Sequence, residues 1–346
     1  MLNALNFAQG PPLAQGKIKQ FPEDFCVNET LSFELAGEGE HLFLLIEKIA
    51  LNTEEMAKII ARAFNLPFNV IAYAGLKDKF AKTTQWFSLH LPGKKDPDLS
   101  PLTTKNHRVL KAIRHNKKLR IGAIKENLFT LRIRQFQGDE KALVPRIEEI
   151  KTHGVPNYFG PQRFGHEGNN LVHAKALLLN DKKIKNRHLR GIYYSAARAF
   201  LFNEILSQRV REASWNKPLN GDVMMLEGSH SIFPIDTVDD NIIQRVEKND
   251  LSPAAVLWGK GVERLTGDAL QCQTSVLKPW EAWCLALERH DLQRAYRSMR
   301  LLPKNLHFEG HVFTFALPTG TYATTVLREL LTTNAVQTSN DGSVEV

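Results

Sequence analysis

Only three cysteines, Cys26, Cys272 and Cys284, occur in 346 residues. None forms a C-x-x-C pair, which excludes a disulfide framework and leaves reduced thiols in a reducing compartment as the simplest reading. The first residues, MLNALNFAQGPPLAQGKIK, lack a basic segment followed by an apolar one, so no secretory signal is expected. No apolar run approaches membrane-spanning length; HLFLLIEKIAL is broken by Glu47 and Lys48. There is no internal repeat, HEGNN at His166 is not a two-histidine zinc motif, and GLKDK lacks the spacing of a phosphate-binding loop. A soluble cytoplasmic protein is expected.

What is present is ordinary globular material, 43% hydrophobic and 24% charged, in a chain long enough for two domains. Lys and Arg outnumber Asp and Glu by 45 to 37, a formal charge of +8. Such an excess favours polyanionic partners, because phosphates attract cations and release counterions on binding. The same charge also serves solubility alone, and composition does not separate the two.

Along the chain, Asn52 or Thr53 caps a helix whose apolar positions Met56, Ile59, Ile60, Ala63 and Phe64 follow three-and-four spacing up to Pro67. Val70 to Ala74 reads as a buried strand stopped by Gly75, and Gln85 to His90 as the next one. Asp78 therefore lies on a connection between strands, where a rigid scaffold holds functional groups up. Leu128 to Phe136 alternates like a half-buried strand, and Lys141 to His153 reads as a helix with Pro145 in its first turn or at a bend. Ser195–Arg211 and Pro279–Arg300 look helical. HVFTFAL looks like a strand leading through Pro318 and Gly320 into a helix, and the tail from Thr332 reads as polar and frayed. The late return of strands suggests a domain inserted between two pieces of one sheet.

The segment YAGLKDKFAKTTQWF concentrates unusual features. Asp78 stands between Lys77 and Lys79, whose charges favour an ionised carboxylate usable as nucleophile or base and offer phosphate contacts beside it. The plain alternative is a solvated turn of alternating charge.

The stretch G-L-K-D-K-x-A-x-T-T-Q resembles the signature around the catalytic aspartate of the TruD family of pseudouridine synthases. Six further blocks follow the family pattern in order: PEDFCVNE, GEGEHLFLLIEK, KENLFTLRIR, GVPNYFGPQRFG, SAARAFLFNEIL and LPTGTYATTVLREL. The resemblance runs from near Lys19 to near Leu331. It implies an α+β pseudouridine synthase fold, a mixed and largely antiparallel sheet with helices, formed by residues 1–153 and 304–346. It also implies an inserted α/β domain at 154–303 and a cleft for tRNA between the two. Neither metal nor organic cofactor is implied, no obligate protein partner is evident, and a monomer is expected.

By the same resemblance Asp78 is the essential residue, attacking ribose C1′ or uracil C6, or removing a ribose proton. Lys19 aligns with a family basic residue that pairs with this carboxylate, or is an ordinary surface lysine. Phe25, Asn127 and Tyr322 match positions that hold the target nucleotide. An aromatic face stacks an extruded base by about 1–3 kcal/mol, and an amide offers donor and acceptor to a uracil edge. Tyr322 departs from the phenylalanine common in the family, keeping the face and adding a hydroxyl. Phe129, Lys77, Lys79 and Gln85 are further candidates around the substrate; for Phe25 and Phe129 core packing is the competing role.

Two cationic runs, Lys111–Lys125 (with Arg114, Lys117 and Lys118) and Lys182–Arg190 (with Lys182, Lys183, Lys185 and Arg187), track an RNA backbone or form solvated faces. Asn157, Gln162 and Arg163 in NYFGPQRFG are placed to reach RNA, while its aromatics pack. Arg198 is the one polar residue of SAARAFLFNEIL whose position looks purposeful. Isomerisation of a tRNA uridine, at position 13 of the D arm by family analogy, is the leading expectation. A non-catalytic RNA-binding protein on a synthase fold, or a synthase acting on another RNA, are the alternatives.

Overall fold

The computed structural model describes residues 4–180, 183–229 and 231–335. Strand β1 (Ala14–Ile18) passes through a tight turn at Pro22–Asp24 into β2 (Phe25–Leu31) and β3 (His41–Ile49). Helix α1 (Thr53–Ala63), β4 (Ile71–Tyr73), β5 (Lys82–His90), β6 (His107–His115), β7 (Ile124–Arg132) and β8 (Arg134–Gly138) follow. Next come α2 (Glu140–His153), β9 (Val155–Pro156), α3 (Asn169–Leu179), α4 (Arg187–Arg211), β10 (Val223–Leu226), β11 (Ile232–Pro234) and α5 (Asp240–Glu247). Then come β12 (Leu251–Leu257), α6 (Gly267–Leu277), α7 (Glu281–Arg289), β13 (Ala295–Ser298) and β14 (Arg300–Leu301). Strands β15 (Lys304–Glu309) and β16 (Val312–Pro318), helix α8 (Ala323–Arg328) and β17 (Leu331–Ala335) complete the order.

The fold is α+β. Eight strands form one sheet in the order β15-β16-β7-β2-β5-β3-β6, with β4 beside β5. Every neighbouring pair in it is antiparallel except β2 with β5. Residues from both ends of the sequence therefore share one sheet. A second sheet, β11-β10-β12-β13, is drawn wholly from residues 223–298. Between them, β9 pairs with β14 where the chain leaves the large sheet and returns to it.

Burial explains the sequence pattern. On β3, Leu42, Leu44 and Ile46 pack with Met56 and Ile60 of α1, while Phe43 faces Trp86 in a different cluster. Both faces are covered, so the apolar run is nearly continuous instead of alternating. Further along the sheet, Phe25, Phe129, Leu131, Phe313 and Phe315 make a core with Leu143 and Ile147 of α2 and Val326 of α8. A separate core surrounds α4, with Phe200, Phe202 and Trp283 against Tyr158 and Phe159.

Five sequence expectations need correction. Leu128–Phe136 is not one strand: the chain turns at Ile133, and β8 pairs with β1 in a third sheet, β17-β1-β8. Ile133 packs so close to Gly16 that a Cβ there would stand 2.3 Å from its Cγ2; only glycine permits that approach. Pro279–Arg300 is helical only to Arg289, because Asp291 turns left-handed (φ 55°) and Ala295–Ser298 pairs with β12 instead. Pro145 lies in the second turn of α2, not its first. Thr332–Ala335 is strand, running parallel to β1, while the rest of the expected frayed tail lies outside the described residues. Helix α4 also starts two turns earlier than its sequence suggests, at the Asn186 cap.

Candidate active site

The loop carrying Asp78 leaves β4 and enters β5, and four contacts fix it from below. The N-terminus of α1 is held by a capping box, with Glu55 N donating to Asn52 Oδ1 (2.8 Å) and Asn52 N to Glu55 Oε2 (3.1 Å). The first residue of that helix, Thr53, accepts at Oγ1 from Lys77 N (2.9 Å) and donates to Gln85 Oε1 (3.0 Å). Gln85 in turn donates through Nε2 to Gly75 O (2.8 Å). Lys77 Nζ reaches Glu29 Oε1 on β2 at 2.5 Å, and Glu29 Oε2 accepts from Trp86 N (2.9 Å). Lys79 Nζ reaches Glu55 Oε1 at 3.3 Å.

These contacts give three of the expected substrate residues partners within the protein. Gln85 is fully buried, and its amide is used in holding the loop. Lys77 is nearly buried and neutralises Glu29, and Lys79, about a third exposed, leans on the start of α1.

Asp78 itself stays accessible, with its side chain 25% exposed. One oxygen accepts from Phe80 N (3.0 Å), and the other forms an ion pair with Lys19 Nζ. Lys19 arrives from the end of β1 with φ 55°, a conformation that costs a non-glycine residue energy and persists where the surroundings impose it. The turn that follows is held by Asp24, which is fully buried and accepts from Phe21 N (3.0 Å) and from Arg134 Nε (2.9 Å). The Lys19 ammonium lies 4.4 Å from the centre of the Phe25 ring. Lysine, carboxylate and aromatic ring are thus gathered at one point.

Phe25 and Phe129 are both 7% exposed and meet edge to face at 6.1 Å; Phe129 stacks on Phe315 at 5.6 Å. Asn127 faces Glu29 and Leu317 across the sheet, at the end of the same face. Its Oδ1 is buried with no hydrogen-bond partner, as is Thr83 Oγ1 on β5. A buried polar atom without a partner is rare and marks a place for an acceptor's missing donor.

Tyr322 lies on the other core, edge to face with Phe159 at 6.1 Å. Its hydroxyl accepts from Arg163 Nε (3.0 Å) and Nη2 (2.8 Å), and Arg163 Nη1 donates to Ser195 (3.1 Å). Arg297 covers the Phe159 ring at 4.2 Å and donates to Gly320 O (2.8 Å) and Asn157 Oδ1 (2.6 Å). Burial pushes its guanidinium down to about 10. Sequence reading missed Arg297, Ser195 and Glu29, since a lone Arg, Ser or Glu inside a strand or helix carries no local signal.

The other cations divide. Arg114 ties down the turn after β5, donating to Asp96 Oδ1 (2.6 Å), Leu91 O (3.2 Å) and Lys94 O (2.8 Å). Lys117 and Lys118 are exposed, as are Lys183, Lys185 and Arg187; Lys182 lies outside the described residues. Asn157 is buried against Arg297 and Ser298 of β13 and does not face solvent. Arg198 holds the carbonyls of Leu257 and Gln293, both at 2.8 Å. Among the described residues no group of three or more His, Cys, Asp or Glu could hold a metal ion, and no helix is long and apolar enough to cross a membrane.

The site thus presents one accessible carboxylate, paired with an ammonium and held up on a clamped loop. A family model, tRNA pseudouridine synthase D (TruD), matches residues 1–185 and 182–330. The chain is 46% identical to tRNA pseudouridine synthase D of Legionella pneumophila (strain Lens) over 94% of its own length and 97% of that protein's. It is 43% identical to tRNA pseudouridine synthase D of Aeromonas salmonicida (strain A449), covering 96% and 95% of the two chains. The crystal structure of a putative tRNA pseudouridine synthase D from Methanosarcina mazei superposes with a TM-score of 0.72 at 21% identity, over 94% of this chain and 95% of that one, a likeness of fold. The chain belongs to the TruD family of tRNA pseudouridine synthases.

Proposed function

We propose that this protein isomerises a tRNA uridine, at position 13 in the D arm, to pseudouridine, with Asp78 as its catalytic group. The observation that carries the reading is the accessible Asp78 carboxylate against Lys19, beside Phe25. The C1′–N1 bond breaks, the base rotates, C1′–C5 forms, the C5 hydrogen leaves as a proton and N1 regains one; no electron is gained or lost. Attack at C1′, attack at C6 and removal of a ribose proton all require the ionised carboxylate, which the Lys19 charge favours. The uridine has to leave the helix stack to reach Asp78. Asn127, with its unpartnered Oδ1, supplies the acceptor for the N3–H of the extruded uracil. Phe25 and Tyr322 supply aromatic surface, with Phe129 behind Phe25.

In this reading residues 1–153 and 304–346 are the catalytic domain and 154–303 an insertion beside it, a division consistent with the separate sheets and with the β9–β14 crossing point. The enzyme acts as a cytoplasmic monomer. The test is release of tritium from tRNA labelled at uracil C5. Wild type releases it, and Asp78→Asn should release none while keeping its fold and most of its RNA affinity. Full turnover by Asp78→Asn would remove Asp78 from the mechanism; no release by wild type from any tRNA would overturn the activity itself.

A further inference from the structure

Several cations on this protein are engaged by carboxylates: Lys19 by Asp78, Lys77 by Glu29, Arg114 by Asp96, Arg209 by Asp222. A group at the first turns of α4 is not. Lys183, Lys185, Arg187 and Arg190, with Tyr194 and His290, line an open cavity of about 830 Å³. Among the described residues no carboxylate lines it. Among the described residues none of the four cations takes part in an ion pair; Asp291, next to His290, is held by Lys260 at 3.1 Å. Four like charges converging on one hollow repel one another, and an incoming polyanion relieves that repulsion.

Two further features suit a phosphate chain over a small anion. Helix α4 is 25 residues long, and Arg187, Arg190, Gly191 and Tyr194 of its first turns line the hollow beside the positive end of its dipole. The Tyr194 and His290 rings lie 5.1 Å apart, offering aromatic surface beside the cations, as proteins that track single-stranded RNA do. The helix also connects this hollow to the candidate active site. Ser195, eight residues beyond Arg187 and about 12 Å along the axis, donates nothing to the hollow but accepts from Arg163, which holds the Tyr322 hydroxyl.

We propose that this cavity is a second RNA-binding site, gripping the phosphate backbone of the substrate outside the nucleotide that enters the catalytic cleft. The inference rests on the reading of the protein as an RNA-modifying enzyme, and names where else it holds that RNA. The dock contributes uniform binding: it lowers KM and leaves the chemical step alone.

The experiment compares wild type with the triple variant Lys183→Gln/Lys185→Gln/Arg190→Gln, whose side chains touch no residue of the site around Asp78. A control variant, Lys58→Gln/Lys141→Gln/Lys248→Gln, removes the same charge from other exposed positions. Filter binding to unmodified tRNA at several salt concentrations, and C5 tritium release on the same RNA, are measured for all three. The triple variant should bind at least 10-fold more weakly, with kcat unchanged. The slope of log affinity against log salt should flatten by about one for each phosphate contact removed. The control should keep its affinity within about threefold. Unchanged affinity and slope in the triple variant, equal weakening in the control, or a fall in kcat without a change in KM would each overturn the dock. Binding reports on the dock even if no tritium is released by any form, so its failure and that of the proposed activity are told apart.

Discussion

Glu29 and Lys77 form an ion pair beneath the Asp78 loop, with the carboxylate fully buried and its second oxygen taken by the backbone of Trp86. The partner of this carboxylate is the residue immediately before the catalytic candidate, so β2 reads out directly on Asp78. Replacing Glu29 by Gln leaves the Lys77 ammonium buried without a counter-charge, which costs about 3–5 kcal/mol. Denaturant unfolding should show that loss. The double variant Glu29→Gln/Lys77→Met should recover most of the stability but not the rate of C5 release, because the loop has lost its anchor. Equal recovery of both would make the pair purely structural.

Lys19→Met should lower kcat by about 10- to 100-fold, the weight of one hydrogen bond between charged groups at about 1.5–3 kcal/mol. Lys19→Arg should retain more activity. Single-turnover rates at saturating tRNA distinguish this from a change in affinity.

Tyr322→Phe keeps the ring and removes the acceptor of two Arg163 hydrogen bonds. Its effect should stay below about 10-fold in KM, since Arg163 retains Ser195. Tyr322→Ala loses the stacking surface as well, about 1–3 kcal/mol, and should fall correspondingly further.

His41, His90 and His115 sit side by side across β5, β3 and β6, with the first two rings 4.7 Å apart. Burial, and then the neighbouring His90, lower His41 below 6.5; burial and Lys117 lower His115. The unfolded chain therefore binds more protons than the folded one, and the contribution to stability is present above pH 6.5 and lost as pH falls below it. Thermal unfolding should shift downward between pH 7.5 and 5.5. The variant His41→Phe/His115→Phe should show a smaller shift over that range.

Local features were legible because local chemistry makes them. The Asn52–Glu55 capping box and the Met56/Ile60 stripe give α1 from the sequence, and Gly75 marks the turn before Asp78. The second half of Pro279–Arg300 was not legible, because Ala295–Ser298 becomes a strand only through its partner β12, roughly 40 residues earlier. The same limit applied at Asp78: the aspartate stands out within GLKDK, but the role of Lys77 depends on Glu29, 48 residues away. One of the two flanking charges is the counter-ion of a buried carboxylate, a partner that the local sequence does not show. Tail residues 332–335 misled for the same reason, since a polar strand at the edge of β1 has no periodic apolar signal.

The parallel pairing of β1 with β17 has a consequence for how the chain is made. Lys19 stands directly after β1, and β1 finds its second neighbour, opposite β8, only when residues 331–335 exist; β16 likewise has to reach β7 before Asn127 gains its far wall. A nascent polypeptide emerging from the ribosome therefore carries Asp78 long before it owns a finished active site, and premature termination anywhere before residue 318 should leave a protein with the catalytic motif and no capacity to use it.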